Sequence, residues 1–303
     1  MPERFSKNGC VFTADEILLC GLFRIHTPNF FDHKMWVDVF GWLQSRASIA
    51  FSLFWNFMMT NWIYLITDNM NYWLPHFSEF AEAIEQKVNS YLPGSVAEGT
   101  NRVICFIDNT CIPTARPGGG PNHRNGHRWD PLIQRSFYNG WKSIHGIKVQ
   151  TLDLPNGMNL HITLPSSLRH NDIWMFNESD VENKFIALQA GQPTVYSLYG
   201  DSAYAVIMSP VVQFATGLPR DTPMNSCRES IEWNYGHLKT FCRLLEQRST
   251  SMKLRHSAVQ EIVLVGILLR NFHTSFRGNI SSGNFMCQPP SFEDYVAAGP
   301  RAM

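Results

Sequence analysis

The hydrophobic period of this chain changes near residue 100, and no other feature constrains the fold as much. Before that point apolar residues recur at helical spacing. After it they come in short runs that read as strands. A helical region followed by strands alternating with helices predicts an α/β domain preceded by an all-helical segment. "TADEILLCGLF" opens the first helix with Thr13 as cap and Glu16 three residues on, a capping box. "HKMWVDVFGWLQSRASIAFSLFWNFM" predicts two helices joined near Gly41 to Ser48, and "HFSEFAEAIEQKVNSYL" a third, ended by Pro93-Gly94.

One stretch of this region calls for a membrane test. Ala47 to Thr67 carries no charge and is long enough to span a bilayer. Ser48, Ser52, Asn56 and Thr60 recur every four residues, however, which draws a polar stripe along an apolar helix. That pattern predicts a core helix, with no membrane partner. Residues 36 to 58 also have a helix-turn-helix look. Residues 1–98 hold six Lys/Arg against ten Asp/Glu, and phosphate binding wants the opposite balance, so a packing module is the better expectation.

Beyond residue 100, "VICFIDNT" is an apolar run that stops at Asp108. Asp-Asn-Thr is good turn chemistry, which is the plain explanation of such an acid. "TVYSLYGDSAY" repeats the pattern and stops at Asp201. Parallel neighbouring strands would bring both acids to one edge, the usual crevice for function in an open α/β sheet. Between them "HGIKVQTLDLP" and "GMNLHITLP" form a hairpin about a Pro-Asn-Gly turn. A helix starting near Asn225 carries Glu232 beside an apolar stripe of Ile231, Tyr235, Leu238, Phe241, Cys242 and Leu245. Arg228 and Gly236 lie four residues either side of Glu232, and Glu229 is its rival one turn earlier. Gly236 would leave room for the sheet edge. Three clustered carboxylates repel, and a divalent cation relieves the repulsion. Two such ions about 3.5–4 Å apart can hold a phosphodiester.

The 303 residues include 25 Lys/Arg and 25 Asp/Glu, so the formal net charge is zero and binding to nucleic acid by bulk charge is excluded. Local patches must supply it. The Gly- and Pro-rich insertion 111–143 and the strand after it offer one: Arg116, Arg124, Arg128, Arg135, Lys142 and Lys148 stand against Asp130 alone, among Phe137, Tyr138 and Trp141. The seven cysteines form no CxxC pair, which argues against a zinc knuckle. Their odd number and the lack of a signal peptide read as a reducing intracellular setting. His123 and His127 fall in a Gly-rich loop, a poor zinc pair. From Arg277 the chain is rich in Gly, Ser and Pro and is expected to be loose.

"FIDNT", "YGDSAY" and "RESIEWNYGHLK" together resemble the DDE transposase superfamily, closest to its Harbinger-type group, over residues 100 to 275. "VFGWLQSRASIAFSLFWNFM" looks like the helical segment that precedes the nuclease core of that family. The resemblance implies an RNase H-like mixed sheet flanked by helices over residues 99–276, an all-helical region at 1–98 and a tail at 277–303. It implies a nuclear enzyme that cuts transposon ends and joins them to target DNA with Mg²⁺ or Mn²⁺, two ions in all. The first Asp of the triad falls on Asp108, the second on Asp201 and the Glu on Glu232. Asp172 in "SLRHNDIWMF" stands near the place of a fourth acid, with Asn171 interposed after His170, and Lys239 closes the helix motif. Both are accessory candidates. Such elements also encode a separate Myb-like partner for DNA binding and nuclear import. A homodimer is one assembly left open. The second reading is a domesticated descendant that binds DNA or chromatin proteins without transposing; the third is a ribonuclease on the same fold.

Overall fold

The computed structural model describes residues 3–27, 33–94, 102–117, 131–217, 222–246, 252 and 258–298. A hairpin of β1 (Arg4–Lys7) and β2 (Cys10–Thr13) leads into α1 (Ala14–His26). The capping box forms there: Thr13 Oγ1 accepts from the Glu16 amide, and the Glu16 carboxylate accepts from the Thr13 amide. Next come α2 (His33–Phe40) and α3 (Gln44–Asn61), which part at Gly41, whose φ of +64° suits glycine. On α3 the stripe of Ser48, Asn56 and Thr60 is exposed, while Ala47, Ala50, Phe54, Trp55 and Met58 are buried. Gly21 lets α1 approach so closely that a Cβ there would fall 2.3 Å from the Phe54 ring. No helix among the described residues is long and apolar enough to cross a membrane. The short α4 (Tyr64–Thr67) and α5 (Met70–Trp73) lead to α6 (Phe77–Tyr91), which buries Phe80, Ile84 and Val88 and packs against the sheet.

The sheet begins with β3 (Arg102–Pro113). It continues through α7 (Pro131–Ser136), β4 (Tyr138–Asn139), β5 (Ile144–Asp153), β6 (Asn159–Ile162) and β7 (Ser166–Ser167). Two helices, α8 (Asp172–Glu178) and α9 (Val181–Leu188), precede β8 (Tyr196–Gly200) and β9 (Val212–Phe214). The strand order is β4-β5-β3-β8-β9, with β6 and β7 also on β5. β5 runs antiparallel to β3, whereas β3, β8 and β9 are mutually parallel neighbours. The chain ends through α10 (Thr222–Phe241), α11 (Val259–Arg277), α12 (Ile280–Asn284) and α13 (Phe292–Ala297). Adjacent β5 residues show that helices cover both faces, since successive side chains alternate. Thr151 meets Tyr235 of α10, and Gln150 bonds the Asp172 carbonyl of α8. The result is a mixed sheet flanked by helices behind a helical region.

Three expectations are corrected. The front of the chain is not all-helical, because Asn8 and Gly9 at positive φ turn residues 4–13 into the β1–β2 hairpin. β3 does not stop at Asp108 but runs five residues further, because β5 accompanies it from Phe106 to Pro113. Only the parallel partner β8 is left behind there. The tail from Arg277 is not loose through residue 298. Ser281, Phe285, Cys287 and Tyr295 are buried, Asn279 and Ser291 cap α12 and α13, and the Tyr295 hydroxyl accepts from Asn271 at 2.9 Å. Asn279 also donates to the carbonyl of Gly157, so the tail pins the turn of the β5–β6 hairpin. All seven cysteines are free.

Candidate active site

Phe106 of β3 lies opposite Tyr199 of β8 in parallel register. Continuing that register by two residues sets Asp108 opposite Asp201, so both acids leave the parallel pair at the same edge. Asp201 caps the 3-10 turn that follows β8, accepting from the Ala203 amide at 2.9 Å. The Asp108 side chain is only 17% exposed. Its Oδ1 accepts from the Asn109 amide at 2.7 Å, and its Oδ2 faces Arg228 Nη1 at 3.3 Å. Burial pushes the Asp108 carboxyl up to about 6. The Asn109 amide and Arg228 pull it down, while Asp201 and Asp172 are close enough to push it up. Below it, the Tyr235 hydroxyl donates to the Asp108 carbonyl at 2.9 Å and sits 2.8 Å from Thr151 Oγ1.

Glu232 joins this group through Arg228, whose Nη2 lies 3.7 Å from Glu232 Oε1. Arg228 is 18% exposed and Glu232 61%. Asp201, Asn225, Arg228, Glu229, Glu232 and Trp233 line one hollow of about 510 Å³. Glu229 and Glu232 share that hollow, so position alone does not separate them. Gly236 does not make room for the sheet edge: a Cβ there would meet nothing within 4 Å. A hollow of about 550 Å³ between α3, β6 and α8 contains none of Asp108, Asp201, Asp172 or Glu232. Among the described residues no group of three His, Cys, Asp or Glu side chains is close enough to hold a metal ion. As arranged, the acids do not form a ligand set, because the Arg228 guanidinium stands between Asp108 and Glu232.

Asp172 is the first residue of α8, and the interposed Asn171 is the cap, accepting from the Trp174 amide at 2.8 Å. Lys148 Nζ donates to Asp172 Oδ1 at 2.7 Å. This corrects the expectation that Lys148 holds DNA: the residue is 8% exposed and its charge is already matched. Beside it the buried Tyr204 hydroxyl accepts from Asn109 Nδ2 and Gln150 Nε2, each at 3.0 Å. The sequence reading missed this network. Its one local signal is the spacing of Lys148 and Gln150, two apart and hence on one face of β5.

The other basic candidates divide. Lys239 is half-buried, and burial lowers its pKa; the nearby Cys111 thiol opposes this and Lys142 adds to it. Lys142 itself is exposed, with Nζ 3.4 Å from Cys111 Sγ. Arg116 donates to Gln134 Oε1 at 3.0 Å and Arg135 is exposed. Arg124 and Arg128 lie outside the described residues. Trp141 is 94% exposed, so packing gives no reason for a tryptophan there. No family model, curated protein or solved structure matches this chain.

Proposed function

We propose that this chain is a divalent-metal-dependent DNA endonuclease and strand-transferase of a Harbinger-type DNA transposon, built on an RNase H-like domain. The observation that carries the reading is the shared edge: Asp108 and Asp201 come just past the end of the parallel pairing of β3 and β8, in register, and Tyr235 of the helix that bears Glu232 bonds the Asp108 carbonyl. The mixed sheet order supports the same fold assignment. Asp108, Asp201 and Glu232 are the triad, and Asp172 lies close enough to act on Asp108 through its charge.

Two lysines meet beyond this edge. Cys111 is three residues beyond Asp108 on β3, roughly 10 Å. Lys239 is seven beyond Glu232 on α10, also roughly 10 Å. The two elements run together, and Lys142, Lys239 and Cys111 meet at their far end. Lys142, Lys239, Arg116 and Arg135 would hold the DNA backbone by charge, and the exposed Trp141 offers a ring for an unstacked base. The zero net charge fits a chain that relies on a separate Myb-like partner for nuclear import and most of its DNA affinity.

The Arg228 bridge favours one second reading, a transposase-derived DNA-binding chain without cleavage, since it already pairs with two of the acids. Nicking of supercoiled plasmid DNA separates the two. The nuclease reading expects nicking with Mg²⁺ or Mn²⁺ that disappears in Asp108→Asn and in Asp201→Asn. Retention of DNA without any nicking by the wild-type chain would leave the second reading in possession.

A further inference from the structure

We propose that the hollow of about 550 Å³ between α3, β6 and α8 binds a small aromatic molecule whose N–H or O–H group donates to His161. The site is separate from the acid edge and stands or falls independently of the nuclease reading. Its size lies within the range of small-molecule pockets, about 300–1,000 Å³. Met59 of α3, Met175 of α8 and Leu264 of α11 supply much of the apolar lining, with Ile63 and Ile162. The charged residues of the lining, Asp68, Glu178 and Lys184, are exposed, which places them on its solvent side. Leu164 and Trp174 also line it and remain 73% and 38% exposed, so an apolar ligand has surface left to cover.

One polar group selects the ligand. The hydroxyls of Thr67, Ser166 and Ser179 in the lining already bond the Ile63 carbonyl, His170 and the Phe176 carbonyl. His161 lines the same hollow and is 3% exposed, and its Nδ1 has no partner among the described residues. A buried polar atom left without a partner is costly. Burial pushes the His161 pKa down to about 4, so the ring is neutral at pH 7, with one N–H and one acceptor nitrogen. The Thr67 backbone bonds the ring and raises its pKa, as a carbonyl accepting the ring N–H does. Nδ1 therefore keeps its lone pair, and the missing partner is a donor. An ionised carboxylate offers none. The rest of the lining favours a ring over an alkyl chain, because the Met59 and Met175 thioethers make favourable contacts with aromatic edges. A phenol or an indole meets both conditions.

The test is a titration of the full-length chain with indole and with benzofuran, read from isotope-labelled methionine methyl signals. Benzofuran has the shape of indole with an oxygen in place of the N–H, so it binds at least as well if apolar contact alone counts. The Met59 and Met175 signals, assigned with Met59→Leu and Met175→Leu, should shift saturably with indole. Benzofuran should bind the wild type about tenfold more weakly, the worth of one hydrogen bond to a buried acceptor. In His161→Leu, which removes the acceptor, the two probes should bind alike. The wild-type comparison carries the test if that variant does not fold. No saturable shift at either methionine overturns the proposal, and so does saturation confined to other methionines. Equal or tighter binding of benzofuran by the wild type, or a preference for indole that survives His161→Leu, overturns it as well.

Discussion

Two side chains show how closely single groups are set. The Tyr235 hydroxyl is buried between the Asp108 carbonyl and Thr151 Oγ1. Tyr235→Phe removes it and leaves the buried Asp108 carbonyl without that donor and Thr151 Oγ1 without that neighbour, so urea denaturation should show a loss of about 1–3 kcal/mol. The same variant should also cut nicking about 10–100-fold, because Asp108 loses the group that orients its backbone. His161 is the second. Burial pushes its pKa down from 6.5 to about 4, with Lys184 adding to the effect and Asp68 opposing it. The unfolded chain therefore takes up a proton that the folded chain refuses. The stability due to the neutral ring is complete above pH 6.5 and is lost as pH falls towards 4, with a ceiling of about 3 kcal/mol. Denaturation curves of the wild type and His161→Leu at pH 7 and pH 4.5 should show the acid loss shrinking in the variant. An unchanged acid loss would assign it to other groups.

Elements differ in how they use their charges, and strand β5 and helix α7 give the contrast. Lys148 on β5 is paired with Asp172, whereas Arg135 on α7 is exposed. Lys148→Met should lower stability by roughly 1–3 kcal/mol, less than a fully buried pair would cost because Asp172 keeps some access to water. It should leave the salt dependence of DNA binding alone. Arg135→Glu with Lys142→Glu should do the reverse, flattening the slope of log K against log salt by about 1 per lost phosphate contact. The caps were legible in the sequence, since the Thr13–Glu16 box and the Gly41 break each span a few residues. The length of β3 was not, because its last five residues depend on β5, some 40 residues later. The Lys148 pairing was equally hidden: composition shows a basic run, and only the fold turns one member inward. Arg228 was legible as a neighbour of Glu232, but its reach to Asp108 crosses 120 residues of chain.

At the scale of the whole molecule, the change of period near residue 100 marks where the main sheet begins, but the sequence misses the β1–β2 hairpin at the front and misjudges the end. The Ser, Gly and Asn of the tail are caps and close contacts there, with Asn279 bonding both the hairpin turn and Asn234. Tyr295→Ala should therefore cost about 3–5 kcal/mol, as for other large buried rings. A loose tail would show almost no change in denaturation midpoint. The same fold carries two acids from distant segments to one edge, and the proposed nuclease reading rests on that edge. The most direct measurement is a crystal structure of the chain with Mn²⁺, read by anomalous scattering. The account predicts a peak at oxygen-ligand distance, about 2.0–2.6 Å, from both Asp108 and Asp201. A fully occupied peak elsewhere, or none at this edge, would contradict it.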